Sequence, residues 1–201
     1  MNRNFSFFSF IFIGDTHGFI NDFIKQKEII EKVKPDFVLS EQMQEMRLDS
    51  VEVYKSVLNN KFISDTVKFE DVSNLITLCF QNRIKLIGID LENFGFDERL
   101  QKVVKGEIKP NKEDEGKLEN ILEKRSKHHL SVLKKYTALT TKPIVVILGS
   151  WHLRDGSPLM EDLDNYIVFY PSDDMGNILL APPENPSIVK YGVRMKGGKK
   201  D

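Results

Sequence analysis

The sequence has one cysteine, no long apolar run and no excess of either positive or negative charge. Each of these shortages argues against a class of protein. Its single cysteine, Cys79, excludes an internal disulfide and a cysteine-rich zinc site, and it fits a reducing compartment. No apolar run reaches the roughly 18 residues that a membrane-spanning helix needs. Lys and Arg number 29 against 30 Asp and Glu, and this balance argues against a protein that coats nucleic acid.

The length of 201 residues predicts one domain. We expect a single α/β domain over residues 1–181 and a C-terminal tail over residues 182–201, partly mobile because it is rich in proline and glycine. The apolar segment 5–13 lacks the small residues of a signal-peptide cleavage site and leads directly into Gly14, which is typical of a buried first strand. A cytoplasmic protein is therefore expected.

Short apolar segments alternate with longer helical ones along the chain. Continuous apolar runs predict strands covered on both faces, at residues 7–13, 37–40, 85–89, 144–148 and 166–170. Apolar residues at helical spacing predict helices at residues 21–33, 67–82, 114–135 and 157–162. This alternation predicts a three-layer α/β domain, with a mostly parallel central sheet, helices on both faces and a possible helical insertion near residues 105–116.

Polar residues follow the first four predicted strands directly. Because the carboxyl ends of parallel strands meet at one edge of a sheet, we expect these residues to converge there. Imidazole and carboxylate together suit zinc, manganese or iron, and without a metal the same groups suit acid–base catalysis. The residues concerned are Asp15, His17, Glu41, Asp90 and His152.

Simpler explanations exist for several polar residues. Glu41 also suits a charge at a helix N-terminus, and Asp90 suits a helix cap. Trp151 is expected to pack rather than to recognise a ligand, and His128 and His129, on a charged helix, are expected to face solvent. A single histidine after a strand is more often an ordinary loop residue. Two Gly-x-x-His elements, each after a buried strand, favour a site.

The ordered motifs resemble those of the superfamily that contains TraB and TIKI proteins, ChaN-like haem-uptake proteins and erythromycin esterases. The resemblance spans about residues 8–163 and follows the order in which this superfamily places its motifs. The matching elements are Gly14-x-x-His17, Pro35-Asp36 before the second strand, Glu41 after it, Asp90 after the third, Arg125 on the long helix, and Gly149-x-x-His152.

This resemblance implies a hydrolase of the TraB/TIKI-like group that acts on a peptide or ester bond of a small-molecule or peptide substrate. It implies a centre of His17, Glu41 and His152. Arg125 would stabilise negative charge or hold a substrate carboxylate, and Asp90 or Glu92 would orient a histidine. In a metal-dependent version, Asp15 joins that centre as a ligand of manganese, zinc or cobalt. In a metal-free version, His17 is the general base and Glu41 orients it.

Two alternatives remain open from the sequence. The ChaN-like branch implies a carrier of haem or another small ligand, for which Tyr54 and Tyr136 are available axial ligands. The pair Asp15-x-His17 also resembles the opening motif of calcineurin-like metallophosphoesterases, although the Gly-Asp-x-x-Asp and Gly-Asn-His elements of that family are absent. No nucleic acid or membrane partner is expected, and the oligomeric state stays open.

Overall fold

A seven-stranded sheet forms the centre of the computed structural model, which describes residues 4–16, 20–59, 70–181, 183–185 and 190–197. The strand order is β3-β4-β2-β5-β1-β6-β7. The inner strands run parallel, and β3 and β7 pair antiparallel at the two edges. The strands are β1 (Phe10–Asp15), β2 (Phe37–Ser40), β3 (Arg47–Leu48), β4 (Lys85–Gly88), β5 (Ile144–Gly149), β6 (Tyr166–Ser172) and β7 (Lys190–Lys196).

Helices cover both faces of this sheet. The described helices are α1 (Ile20–Val33), α2 (Val51–Asn59), α3 (Glu70–Gln81), α4 (Glu98–Val104), α5 (Lys112–Thr137) and α6 (Pro158–Glu161). Helices α1, α2 and α3 pack into one apolar core, and α5 and α6 pack into a second core on the opposite face. The predicted fold class, a mostly parallel sheet between two helical layers, is confirmed.

Strand β1 shows why the predicted strands are apolar throughout. All six of its residues are buried. Ile11 and Ile13 belong to the core under α1 and α3, whereas Phe10 and Phe12 belong to the core under α5. Because successive side chains point to opposite faces, a strand covered on both faces needs an apolar residue at every position.

The structure also contains elements that the sequence analysis did not predict. Strand β7 lies in the segment expected to be a tail, and it pairs with β6 from Tyr166↔Lys196 to Ser172↔Lys190. As an edge strand it carries lysines and half-buried positions instead of an apolar run, so its pattern is weak. Helix α5 begins earlier than predicted because Asn111 and Asp114 form a capping box at its N-terminus.

The parallel inner strands place their carboxyl ends on one edge. Strands β4, β2 and β5 are direct neighbours there, and β1 follows β5. The residues after these strands therefore meet, although the chain separates them widely. None of the helices in the described residues combines the length and the apolar character that crossing a bilayer requires.

Candidate functional site

Five polar residues meet at the carboxyl edge of the sheet, and we call them the edge cluster. Glu41, Asp90 and His152 follow the neighbouring strands β2, β4 and β5, and α5 contributes Arg125 and His129. The whole cluster is buried, with exposed fractions of 0% for Asp90 and His129 and 8% for Arg125. Burying this many charged groups is favourable only where they pair with one another.

Arg125 and Asp90 form the tightest contact in the edge cluster. Nε of Arg125 lies 3.0 Å from each carboxylate oxygen of Asp90, and Nη2 donates to Oδ2 as well. The Leu91 backbone N–H donates to Oδ1 at 2.7 Å. Burial alone would raise the pKa of Asp90, but the contacts with His129 and Arg125 outweigh it and hold that pKa well below its usual range.

Glu41 and His152 form a second carboxylate–imidazole pair. Oε2 of Glu41 lies 3.6 Å from Nε2 of His152 and 3.7 Å from Nη2 of Arg125. Oε1 accepts a hydrogen bond of 2.8 Å from the Gly149 backbone N–H, which fixes the carboxylate against the end of β5. Burial lowers the pKa of His152 to about 4, against the opposing charge of Glu41, so this imidazole is neutral at pH 7.

His129 belongs to the edge cluster, so the prediction that it faces solvent is wrong. It is fully buried, with Nε2 at 3.4 Å from Oδ2 of Asp90. Its ring meets that of His152 edge to face, with 5.1 Å between centroids. The reason is helical geometry, because His129 lies four residues after Arg125 and so shares its face of α5, whereas His128 is only half-buried.

The remaining predicted site residues lie elsewhere or outside the described residues. Asp15 is buried, but its carboxylate accepts a hydrogen bond from Gln42 instead of joining the edge cluster. Glu92 is exposed. His17, predicted to be central, lies outside the described residues.

A possible metal-ligand set differs from the predicted set of Asp15, His17, Glu41 and His152. Among the described residues, Glu41, Asp90 and His129 place one ligand atom each within 4.8 Å of one another. The guanidinium of Arg125, however, already contacts both carboxylates of that group. A divalent ion at this point would meet an adjacent positive charge. The residues in this arrangement therefore do not fit a divalent metal.

The two tyrosines that the sequence offered as axial ligands are both in the core. Tyr54 is 4% exposed, and its hydroxyl donates to the carbonyl of Ile84 at 2.7 Å. Tyr136 is 5% exposed and packs against the ring of Phe37. Neither tyrosine belongs to the edge cluster, and nothing in the described residues marks either one as an axial ligand.

Trp151 and Arg154 form an exposed stack beside the edge cluster. The indole is 36% exposed, and the guanidinium carbon of Arg154 lies 3.2 Å from a ring centroid. Arg154 Nη1 also donates to the Trp151 carbonyl at 2.7 Å, which keeps the guanidinium over the ring. The Trp151 ring meets His152 edge to face at 5.8 Å. Trp151 therefore packs against its neighbours, as expected, while part of its ring borders solvent.

Comparison with known proteins finds a distant likeness among solved structures. No protein-family model matches the chain, and no curated protein matches it. Among solved structures, ChaN of Campylobacter jejuni, described with cofacial haem bound, is 15% identical, with a TM-score of 0.48, over 96% of this chain and 89% of that one. A likeness at this level says nothing about the ligand of the present chain.

Proposed function

We propose that the protein binds a small planar anionic ligand, with haem as the first candidate, on the face where Trp151 and Arg154 border His152. The observation that carries this proposal is the exposed Trp151–Arg154 stack directly beside a neutral, carboxylate-paired imidazole. The resemblance of the sequence motifs to the superfamily that includes ChaN-like haem-uptake proteins also supports it.

The stack offers the two interactions that such a ligand needs. The indole and the guanidinium plane both stack on conjugated rings, and a guanidinium pairs with carboxylates in a two-pronged contact. Haem has a flat conjugated ring and two carboxylates. An exposed aromatic residue and a cation held together therefore match both parts of the ligand.

His152 is the residue in the described chain that suits the iron of such a ligand. Proteins often hold haem iron through a neutral imidazole whose second nitrogen is oriented by a carboxylate. Here Glu41 lies beside Nε2, and Nδ1 is buried with no hydrogen-bond partner among the described residues. An imidazole nitrogen without a partner in a buried position is unfavourable, and a ligand atom would satisfy it. Because His152 is 4% exposed, Nδ1 would reach the iron only when the turn Ser150–Leu153 moves aside on binding.

The proposal is tested by titrating the protein with haemin and recording the Soret band. A saturable shift with a fixed stoichiometry is expected. Trp151→Ala should weaken binding by about 5- to 150-fold, because stacking of a flat ring on one aromatic side chain contributes about 1–3 kcal/mol. Arg154→Ala should weaken the binding of haem, whose carboxylates are free, more than the binding of haem dimethyl ester, which has no free carboxylate.

His128→Ala is the matched control, because His128 is the half-buried neighbour of His129 on the same helix and lies outside the edge cluster. It should bind haemin as the unchanged protein does. Non-saturable binding, or equal affinity in Trp151→Ala and His128→Ala, would contradict the proposal.

A second candidate, a hydrolase of TraB/TIKI-like type, is favoured by the Glu41–His152 pair. A neutral imidazole beside a carboxylate is the arrangement of a general base that takes a proton from water. Arg125 lies 3.7 Å from Glu41 and is positioned to stabilise negative charge. A panel of ester and peptide substrates, with and without Mn²⁺, Zn²⁺ and Co²⁺, tests this candidate. Turnover that is lost in Glu41→Gln supports it, and no turnover on any substrate opposes it.

A further inference from the structure

A cavity lies at the opposite edge of the sheet from the edge cluster. It has a volume of about 520 Å³ and is built around the start of β2 and β4 and the ends of the helices that precede them. This volume falls in the range of roughly 300–1,000 Å³ that small-ligand sites occupy. Trp151, His152 and Arg154 do not line this cavity, so the proposed haem site does not account for it.

The rim of this cavity carries more positive than negative charge. Asp36 is the only carboxylate among the described residues that line it, and its oxygens accept hydrogen bonds from Lys142 Nζ at 2.6 Å and from Thr140 Oγ1 at 2.7 Å. Three further cations of the rim form no ion pair with any described residue. They are Lys34, Arg83 and Lys85.

The floor of the cavity is apolar. Pro35, Phe37 and Ile84 are buried beneath it, and the side chain of Leu139 is 59% exposed at its wall. The ammonium group of Lys85 lies 5.4 Å from the centre of the Phe37 ring. The charge of Lys85 also acts on Asp36 from beyond ion-pair distance. The cavity thus combines an apolar surface for a ligand body with cations that have no ion pair among the described residues.

Two of these cations stand at backbone positions that glycine or asparagine normally fills. Lys34 has φ 49° and Arg83 has φ 56°, each just after the end of a helix. A side chain in this left-handed conformation is unfavourable, and glycine is the usual residue there. Complementing the helix dipole explains the sign of these charges. The helix dipole does not explain why Lys34 and Arg83 both lie at the rim of the same apolar cavity.

We propose that this cavity binds a small organic phosphate. Lys34, Arg83 and Lys85 would hold the phosphate dianion, and Phe37 and Leu139 would contact its apolar body. Cations match a doubly charged phosphate better than a single carboxylate, because each added charge pair contributes to binding. The proposal is independent of the edge cluster and of haem.

The test is calorimetric titration of the full chain with phenyl phosphate. One saturable site is expected, with inorganic phosphate binding more weakly and phenol not binding. Arg83→Gly should weaken phenyl phosphate binding at least tenfold while the melting temperature stays level or rises, because glycine relieves the left-handed backbone. Lys34→Gly should behave in the same way.

Lys109→Ala is the charge-matched control, since Lys109 is exposed and lies outside the cavity lining. It should leave phenyl phosphate binding unchanged. The proposal is overturned if no saturable site exists, if inorganic phosphate binds as tightly as phenyl phosphate, or if Lys109→Ala weakens binding as much as Arg83→Gly. Haemin binding should be the same in Arg83→Gly and in the unchanged protein, so failure of one site is distinguishable from failure of the other.

Discussion

Arg125 and Asp90 lie 35 positions apart in the chain and form a buried two-pronged contact between α5 and the end of β4. The same guanidinium lies 3.7 Å from Glu41, so one cation serves two carboxylates. This pairing keeps the edge cluster charged and ordered beside the Trp151–Arg154 stack. Its loss would leave buried negative charge without compensation.

Replacing Arg125 should therefore destabilise the fold strongly. Arg125→Ala should lower the free energy of unfolding by about 3–5 kcal/mol, because it leaves buried carboxylates unpaired. Urea unfolding at pH 7 measures the change. Lys127→Ala, on the same helix, breaks an exposed ion pair and should change it by less than about 0.5 kcal/mol. A similar small change for Arg125→Ala would show that the contact does not hold the fold.

His152 should make stability depend on pH. Its pKa in the folded chain is about 4, below the ordinary value of 6.5, because burial disfavours the charged imidazole. The unfolded chain therefore takes up a proton first, and this contribution is present above pH 6.5 and is lost as the pH falls to about 4. The loss is on the order of 3 kcal/mol.

Urea unfolding of His152→Asn beside the unchanged protein, in buffer with a chelator, checks this expectation. The variant should lose less stability than the unchanged protein between pH 7 and pH 4. Parallel stability curves for the two proteins over this range would contradict a buried neutral imidazole.

Asp22 should give the stability of the fold the opposite dependence on pH. Burial raises its pKa to about 6, against hydrogen bonds from Thr16 and Tyr191. The folded chain takes up the proton first, so this contribution is present below about pH 4 and is lost as the pH rises through 6. Asp22→Asn should therefore gain stability relative to the unchanged protein as the pH rises from 4 to 7. Urea unfolding of Asp22→Asn and of the unchanged protein at pH 4 and pH 7 measures this trend, and an equal change in the two proteins would contradict it.

Gly88 should not accept a side chain. A Cβ at this position would overlap the carbonyl of Gln44, where the chain after β2 crosses the end of β4. Gly88→Ala should destabilise the protein by at least about 2 kcal/mol, because backbone and not a flexible side chain must move. Gly116→Ala, with no atom within 4 Å, should instead stabilise α5 by about 0.5–1 kcal/mol. Thermal unfolding of both variants checks the contrast, and equal effects would contradict it.

The positions of Glu41, Asp90 and His152 were predictable because the rule that brings them together needs only parallel, neighbouring strands. The contact that organises them was not predictable in the same way. Arg125 was identified from the motif order, and its pairing with Asp90 depends on how α5 lies across the sheet edge. The apolar periodicity of α5 is weak, so it did not show which face is buried.

His129 was expected in solvent because the weak periodicity of α5 did not show its buried face. The spacing of His129 from Arg125 was nevertheless a usable signal. Once Arg125 is placed at the sheet edge, the residue four positions later shares its helix face. Trp151 and Arg154 were missed because their contact depends on the 3₁₀ turn Ser150–Leu153, whose geometry no periodicity predicts. Strand β7 was missed because its pairing with β6, and not its own composition, makes it a strand.

The electron paramagnetic resonance spectrum of the protein with one equivalent of haemin tests most directly whether His152 holds the iron. We expect a histidine-ligated ferric spectrum in the unchanged protein and in His128→Ala, and we expect this spectrum to be lost in His152→Ala. Circular dichroism of His152→Ala checks that the variant retains the fold. An identical spectrum in His152→Ala and in the unchanged protein would contradict the proposal that His152 presents its imidazole to the ligand.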